Sequence, residues 1–231
     1  MTLHPPLWRN RHQAGVALAE QLWPSAGQRL DNSVIALPRG GVPVAVAVAE
    51  RLRCPLATWS VRKVADPQWP ELAIGAIAHG GVTVWRNGHA AASREAMARQ
   101  RGWLEAQERE LLRRQRLFGD PLPEELQGRH LIVVDDGIAT GMTVKAALLS
   151  LRQLQPGSLT LAVPVVDRAV ARELAGLVDH FEAGALVDQL EAVGMWFEAF
   201  DQLSDREVLE LLEKSRAGWC GPGATTASPP D

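Results

Sequence analysis

Two adjacent carboxylates, Asp135 and Asp136, stand between an apolar run and a loop of small and hydroxylated residues. The stretch reads His130-Leu131-Ile132-Val133-Val134-Asp135-Asp136-Gly137-Ile138-Ala139-Thr140-Gly141-Met142-Thr143-Val144. The apolar run is short and β-rich, as a buried parallel strand should be. From Val144 the series Val144, Ala147, Leu148, Leu151, Leu154 has helical spacing. The acids and loop are therefore expected at the carboxyl end of a strand and the amino end of a helix, where open α/β sheets bind ligands. Free amides at a helix start suit a phosphate. Two carboxylates repel a phosphate and suit hydroxyls or a metal. A ligand with a phosphate at one end and a diol at the other satisfies both halves, and a ribose 5-phosphate is such a ligand.

A second strand–turn–helix connection precedes this one. Pro38-Arg39-Gly40-Gly41 follows an apolar strand and opens an Ala- and Val-rich helix. Its glycines allow backbone to approach a ligand closely, and Arg39 adds a charge-assisted donor for anionic oxygens. Alone, the tetrapeptide also reads as a plain tight turn. Arg62 and Lys63 are placed at the end of the next strand, before a polar segment with Pro67 and Pro70. Two surface cations would look the same. The six histidines show no metal-ligand spacing, no Walker A loop occurs, and no Ser-His-Asp or Cys-His grouping suggests a protein nucleophile.

The Asp135–Thr143 stretch resembles the 5-phosphoribosyl 1-pyrophosphate (PRPP) motif of the type I phosphoribosyltransferases. The resemblance implies that Asp135 and Asp136 hold the ribose hydroxyls. It further implies that Gly137, Ile138, Ala139, Thr140, Gly141, Met142 and Thr143 cradle the 5′-phosphate. The segment Gly137-Ile138-Ala139 departs from relatives with bulkier or hydroxylated residues there. Arg39, Gly40 and Gly41 look like the family's pyrophosphate loop, which can contain a cis peptide. Arg39, Arg62 and Lys63 would serve catalysis by neutralising the departing pyrophosphate, the latter two just before a mobile loop, Ala65 to Glu71, that closes over PRPP. Pro70-Glu71-Leu72-Ala73-Ile74-Gly75-Ala76 is similar to a signature of one bacterial group of phosphoribosyltransferases, as are Ala192-Val193-Gly194, Trp196-Phe197 and Ser204-Asp205. In the wider family a hood after the last sheet strand holds a nucleobase, which makes Val187, Asp188, Trp196 and Phe197 the acceptor candidates.

The implied reaction transfers ribose 5-phosphate from PRPP to a nitrogen acceptor, a nucleobase or related heterocycle, with release of pyrophosphate. Mg²⁺ would be held mainly by substrate oxygens, without a dedicated protein cage. The competing reading is a non-catalytic sensor of PRPP or a nucleotide on the same fold, with RNA binding as one form of it.

These residues need a scaffold, and the elements supply one. Helical periodicity covers residues 12–23 up to Pro24. Strands are expected at Ser33 to Leu37, Leu56 to Val61 and Leu159 to Val166, with helices at Val42 to Leu52, Met142 to Leu154 and Ala169 to Leu177. Leu72 to Ala78 and Val82 to Trp85 flank His79-Gly80-Gly81 as a hairpin. Ser93 to Leu117 reads as one long helix with Glu95–Arg99, Glu105–Arg109 and Glu110–Arg114 pairs. Its arginines invite RNA, but the interspersed glutamates favour a solvated face. Ser204-Asp205-Arg206-Glu207 is a capping box for a last helix. Alternating strands and helices imply an α/β fold, a twisted, mostly parallel sheet with flanking helices and a small hood.

The expected organisation is one domain over residues 1–216 and a disordered tail over 217–231, rich in Gly, Pro, Ser and Thr. The net charge of −3 argues against a surface-wide nucleic-acid footprint. Cys54 and Cys220 form no disulfide framework. No signal-peptide core or membrane span is legible, so a cytoplasmic location is expected. A homodimer is one assembly the sequence allows.

Overall fold

A computed structural model describes residues 5–27, 29–69, 73–86 and 90–218. Its centre is an all-parallel sheet of five strands. These are β1 (Asn32–Ala36), β2 (Leu56–Thr58), β6 (His130–Val134), β7 (Ser158–Asp167) and β8 (His180–Val187). They lie in the order β2-β1-β6-β7-β8. Strand β6 shows why the sheet is covered on both faces. Ile132 and Val134 pack toward α1 (Arg11–Ala26), α2 (Gly41–Leu52) and α8 (Asp205–Gly218). Leu131 and Val133 pack toward α6 (Met142–Arg152) and α7 (Arg168–Ala175). A strand buried on both sides must be apolar throughout, which is how this segment reads.

A second sheet is small and antiparallel: β3 (Val61–Ala65), β4 (Ala73–Ala78) and β5 (Thr83–Trp85). One face packs on α3 (Ala91–Gln100) and α4 (Trp103–Phe118) through Val64, Ile77, Ala98, Leu104 and Leu111. The other meets Ala146 of α6 through Val61, Ala76 and Ala78. A short helix, α5 (Pro123–Leu126), lies in the Pro-rich connector before β6.

Several expectations are corrected. The strand expected over Leu56 to Val61 is two strands in two sheets. The Trp59 amide still bonds to Ala36 O, but the next amide, Ser60, donates to Asp120 Oδ2 at 2.6 Å and draws the chain away. The Trp59 indole is buried and donates to Ser150 Oγ, which holds the crossing in place. Arg62 and Lys63 thus lie within β3, not at a strand end. The long helix breaks in two at Gly102, whose φ of 69° ends the helical path. Helix α1 runs through Pro24, because Leu22 and Ala26 still bury against its neighbours. Strand β8 had no counterpart in the sequence reading; it is a half-exposed edge strand containing Glu182 and Gly184. The hairpin around His79 and the capping box of α8 are both formed, the latter by Ser204 and Glu207 in reciprocal bonds. Helix α8 extends through Ala217 and Gly218, two residues into the expected tail; residues 219–231 of that tail lie outside the described residues.

Candidate functional site

Both strand–turn–helix connections end at the same edge of the sheet, because β1 and β6 are parallel neighbours in register. Asp135 and Asp136 leave the end of β6. The Asp136 amide donates to Asp135 Oδ1 at 2.9 Å, and Asp136 Oδ2 accepts from Arg11 Nε at 2.8 Å. Burial raises the pKa of both groups above the ordinary carboxylate range; for Asp135 the adjacent Asp136 charge adds to this. Arg11 works in the opposite direction on Asp136. On its own, the pair therefore favours holding a proton. Hydroxyl donors or a cation arriving at it would favour the ionised form.

The loop that follows is anchored to the end of β7. Ile138 N donates to Val165 O at 2.9 Å and Asp167 N to Ile138 O at 3.0 Å. Gly141, with φ of 72°, turns the chain into α6. The neighbouring turn contains a cis peptide bond between Pro38 and Arg39. Its glycines are required by contact. A Cβ on Gly40 would overlap Asp136 Oδ2, and one on Gly41 would stand 2.7 Å from Val134 O. The two turns are packed into each other.

Together they line an open cleft of roughly 830 Å³. Arg39, Gly40, Arg62, Lys63, Asp135, Asp136, residues 137–141 and Thr143 all border it. Two residues of the expected phosphate and pyrophosphate loops do not. Met142 turns to the other side, against the small sheet, and Gly41 is occupied by packing on Val134. Facing the acids is a wall of cations. Arg62 Nε donates to Gln107 Oε1 at 3.0 Å. Its pKa is lowered, first by burial and next by the Arg114 charge, with Arg39 and Arg113 adding. Arg113 and Arg114 share Glu110, whose pKa they hold at about 2, and Arg39 and Arg113 share Asp205. Four guanidinium groups thus have two carboxylates between them. This corrects the reading of α4 as a purely solvated face: the Glu95–Arg99 and Glu110–Arg114 pairs form, but Arg114 and Gln107 border the cleft.

A phosphoribosyl transferase domain model matches residues 8–175, which include both turns, the acids and most of the cation wall. The chain belongs to the phosphoribosyl transferase family. A Mycobacterium tuberculosis protein named "Putative phosphoribosyl transferase" is 38% identical over 228 residues, in each of two strains. That match covers 96% of this chain and 50% of the relative, so the chain spans about half the length of the curated relatives it matches. The crystal structure of TT1426 from Thermus thermophilus is 34% identical with a TM-score of 0.68. It covers 93% of this chain and 99% of that one. The fold is that of the type I phosphoribosyltransferases, a parallel sheet with flanking helices and a small hood.

In this family member the hood is stitched from both ends of the described chain. The amides of Leu7 and Trp8 donate to Trp196 O, and Glu198 N donates back to Trp8 O. The proposed acceptor residues serve that construction instead of bordering the cleft. Phe197 is buried, with its ring centroid 5.5 Å from Trp8 and 4.9 Å from Phe200. Trp196 and Val187 pack in the same cluster, and Asp188 pairs with Arg168 at 2.9 Å. The hood side of the cleft is lined by Glu191, Val193, Phe200, Gln202 and Leu203. Phe200, packed on Phe197, is the ring that borders the cleft, and sequence alone did not separate the two. Arg11, Gln107 and Arg114 were also missed. Each sits on an ordinary amphipathic helix and carries no local signal. Of the expected lid, Ala65, Asp66 and Pro67 border the cleft, while Pro70 and Glu71 lie outside the described residues.

Proposed function

We propose that the chain transfers ribose 5-phosphate from PRPP to a nitrogen acceptor and releases pyrophosphate. One observation carries the reading: a carboxylate pair, a tight loop at the start of a helix and a cation wall border a single cleft. The loop 137–141 and the start of α6 take the 5′-phosphate, with the Thr140 and Thr143 hydroxyls assisting. Asp135 and Asp136 accept from the ribose hydroxyls. Arg39, Arg62 and Lys63, extended by Arg114, take the pyrophosphate.

These roles suit the chemistry. Pyrophosphate departs from C1 of the ribose as an oxocarbenium-like centre develops, and the acceptor nitrogen bonds to that carbon. Negative charge accumulates on the leaving group, where fixed cations stabilise it more in the transition state than in the ground state. The protein must also orient donor and acceptor and exclude water.

The donor set is compatible with Mg²⁺. The acid pair offers hard oxygens, and among the described residues no group of three His, Cys, Asp or Glu side chains forms a cage. Bound through PRPP oxygens, the ion would neutralise part of the leaving-group charge. Among the described residues no helix is long and apolar enough to cross a membrane.

The deciding experiment combines protein, Mg²⁺ and PRPP with a panel of bases and small nitrogen compounds, following pyrophosphate release, with calorimetric titration of PRPP alongside. Release with one acceptor class is the expected result. PRPP binding without release from any acceptor would identify a sensor. No PRPP binding would overturn both readings.

A further inference from the structure

Arg11 has no part in either turn, yet it reaches the centre of the site. The path that brings it there is specific. Residues 7–9 are bonded to the hood at Trp196, Glu198 and Ala199, and Asn10 then caps α1 by accepting from the Gln13 amide at 2.9 Å. Arg11 follows as the first helical residue. Its side chain is only 11% exposed. Nε donates to Asp136 Oδ2 at 2.8 Å, Nη1 donates to Asp201 O at 2.9 Å, and the guanidinium lies 3.6 Å from the Phe200 ring centroid. One side chain thus bridges the carboxylate pair and the hood.

The arrangement divides the four carboxylate oxygens. Asp136 Oδ2 is taken by Arg11 and walled by Gly40. Asp135 Oδ1 is taken by the Asp136 amide. These bonds fall on two of the oxygens, and Asp136 Oδ1 and Asp135 Oδ2, on carboxyls close enough to interact with each other, are the two acceptors a diol would meet. Folding stability gives little reason for such a pair, since an apolar replacement of a buried ion pair is often neutral or better. Charge facing the acids comes from Arg11 on α1 and Lys63 on β3, and the Lys63 effect falls on Asp135.

We propose that Arg11 is the positioning residue of the ribose site: it commits Asp136 Oδ2, so that Oδ1 meets a donor hydroxyl, and fastens that carboxylate to the hood. This rests on the reading of Asp135 and Asp136 as the diol ligands. Arg11 acts through Asp136 and touches neither reacting atom.

PRPP affinity, measured calorimetrically with Mg²⁺, tests it in Arg11→Gln, Arg11→Lys, Asp136→Asn and the Arg11→Gln/Asp136→Asn double variant. Asp136→Asn and Arg11→Gln should each weaken binding by about 10- to 100-fold. The double variant should be no weaker than Asp136→Asn alone, because the two residues act as one unit. Arg11→Lys should recover most of the affinity, since it keeps the charge without the planar fork. Unchanged affinity in Arg11→Gln, or losses that add in the double variant, would overturn the proposal. Should the Gln variant not fold by circular dichroism, Arg11→Met keeps the packing of the stem and decides the same question. Unchanged affinity in Asp136→Asn would instead remove the diol reading on which the proposal rests.

Discussion

The two sides of the cleft are built differently. The sheet side, from Asp135 to Thr143 with its neighbour Arg39–Gly41, comes from two short contiguous segments and presents turns and carboxylates held by the ends of parallel strands. The rest of the cleft collects single side chains from distant places: Arg62 and Lys63 from β3, Gln107 and Arg114 from α4, Arg11 from α1 and Phe200 from the hood. A site made of backbone must be encoded where the backbone turns, so glycines, hydroxyls and acids appear together in sequence. A wall made of side chains needs only a long residue at each position, and its membership is decided by packing.

The comparison breaks most directly on the sheet side. Asp135→Asn with Asp136→Asn should lower PRPP affinity by about 3–6 kcal/mol, since each charge-assisted bond is worth about 1.5–3 kcal/mol. Asp135→Asn alone separates function from folding. A carboxylate whose pKa is raised in the folded state costs stability at neutral pH, because the unfolded chain ionises more readily. The single variant should therefore bind PRPP poorly and unfold at no lower a temperature than the wild type. Wild-type affinity in the double variant would make the pair structural and erase the distinction between the two sides.

The same distinction explains what was legible beforehand. The run from His130 to Val134 announced a doubly buried strand, and Gly141 announced the turn into α6. The central sheet and both turns follow from such local signals. Strand β8 did not, because an edge strand with Glu182 and Gly184 has neither a continuous apolar run nor clean alternation. The Trp59–Ser60 break was hidden for a related reason: its cause is Asp120, some 60 residues away in sequence. Phe197 and Phe200 differ only in which ring the Trp8 contact buries. Local composition carries none of these facts.

The wall makes a different prediction. Arg62→Gln with Arg114→Gln should reduce turnover by about 3 kcal/mol in transition-state stabilisation and PRPP affinity by clearly less, because leaving-group charge is greatest as the bond breaks. Single-turnover rates set against calorimetric affinities would check this. Equal losses in both would mean that the wall binds donor uniformly. A loss of affinity with no turnover from any acceptor would sharpen the comparison further, leaving a sensor whose sheet side and wall both serve binding alone.

The smallest effect lies at the seam between the two sides. Asp120 is largely buried beneath the crossing from β2 to β3, where it accepts from the Thr58 hydroxyl at 2.7 Å and from the Ser60 amide and hydroxyl. Burial nevertheless pushes its pKa up to about 6 from an ordinary 3.8. The folded state then binds more protons than the unfolded state between those two values, so this group's contribution to stability falls as pH rises through the window and levels off above it. Between pH 5 and pH 7 the loss amounts to about 1 kcal/mol. Asp120→Asn fixes the group as neutral and removes that slope, whatever constant offset the new amide introduces among three donors. Urea unfolding of both proteins across this range would show the wild type losing stability relative to the variant as pH rises. Parallel curves would mean that the three donors outweigh burial, and that the seam holds its carboxylate ionised throughout.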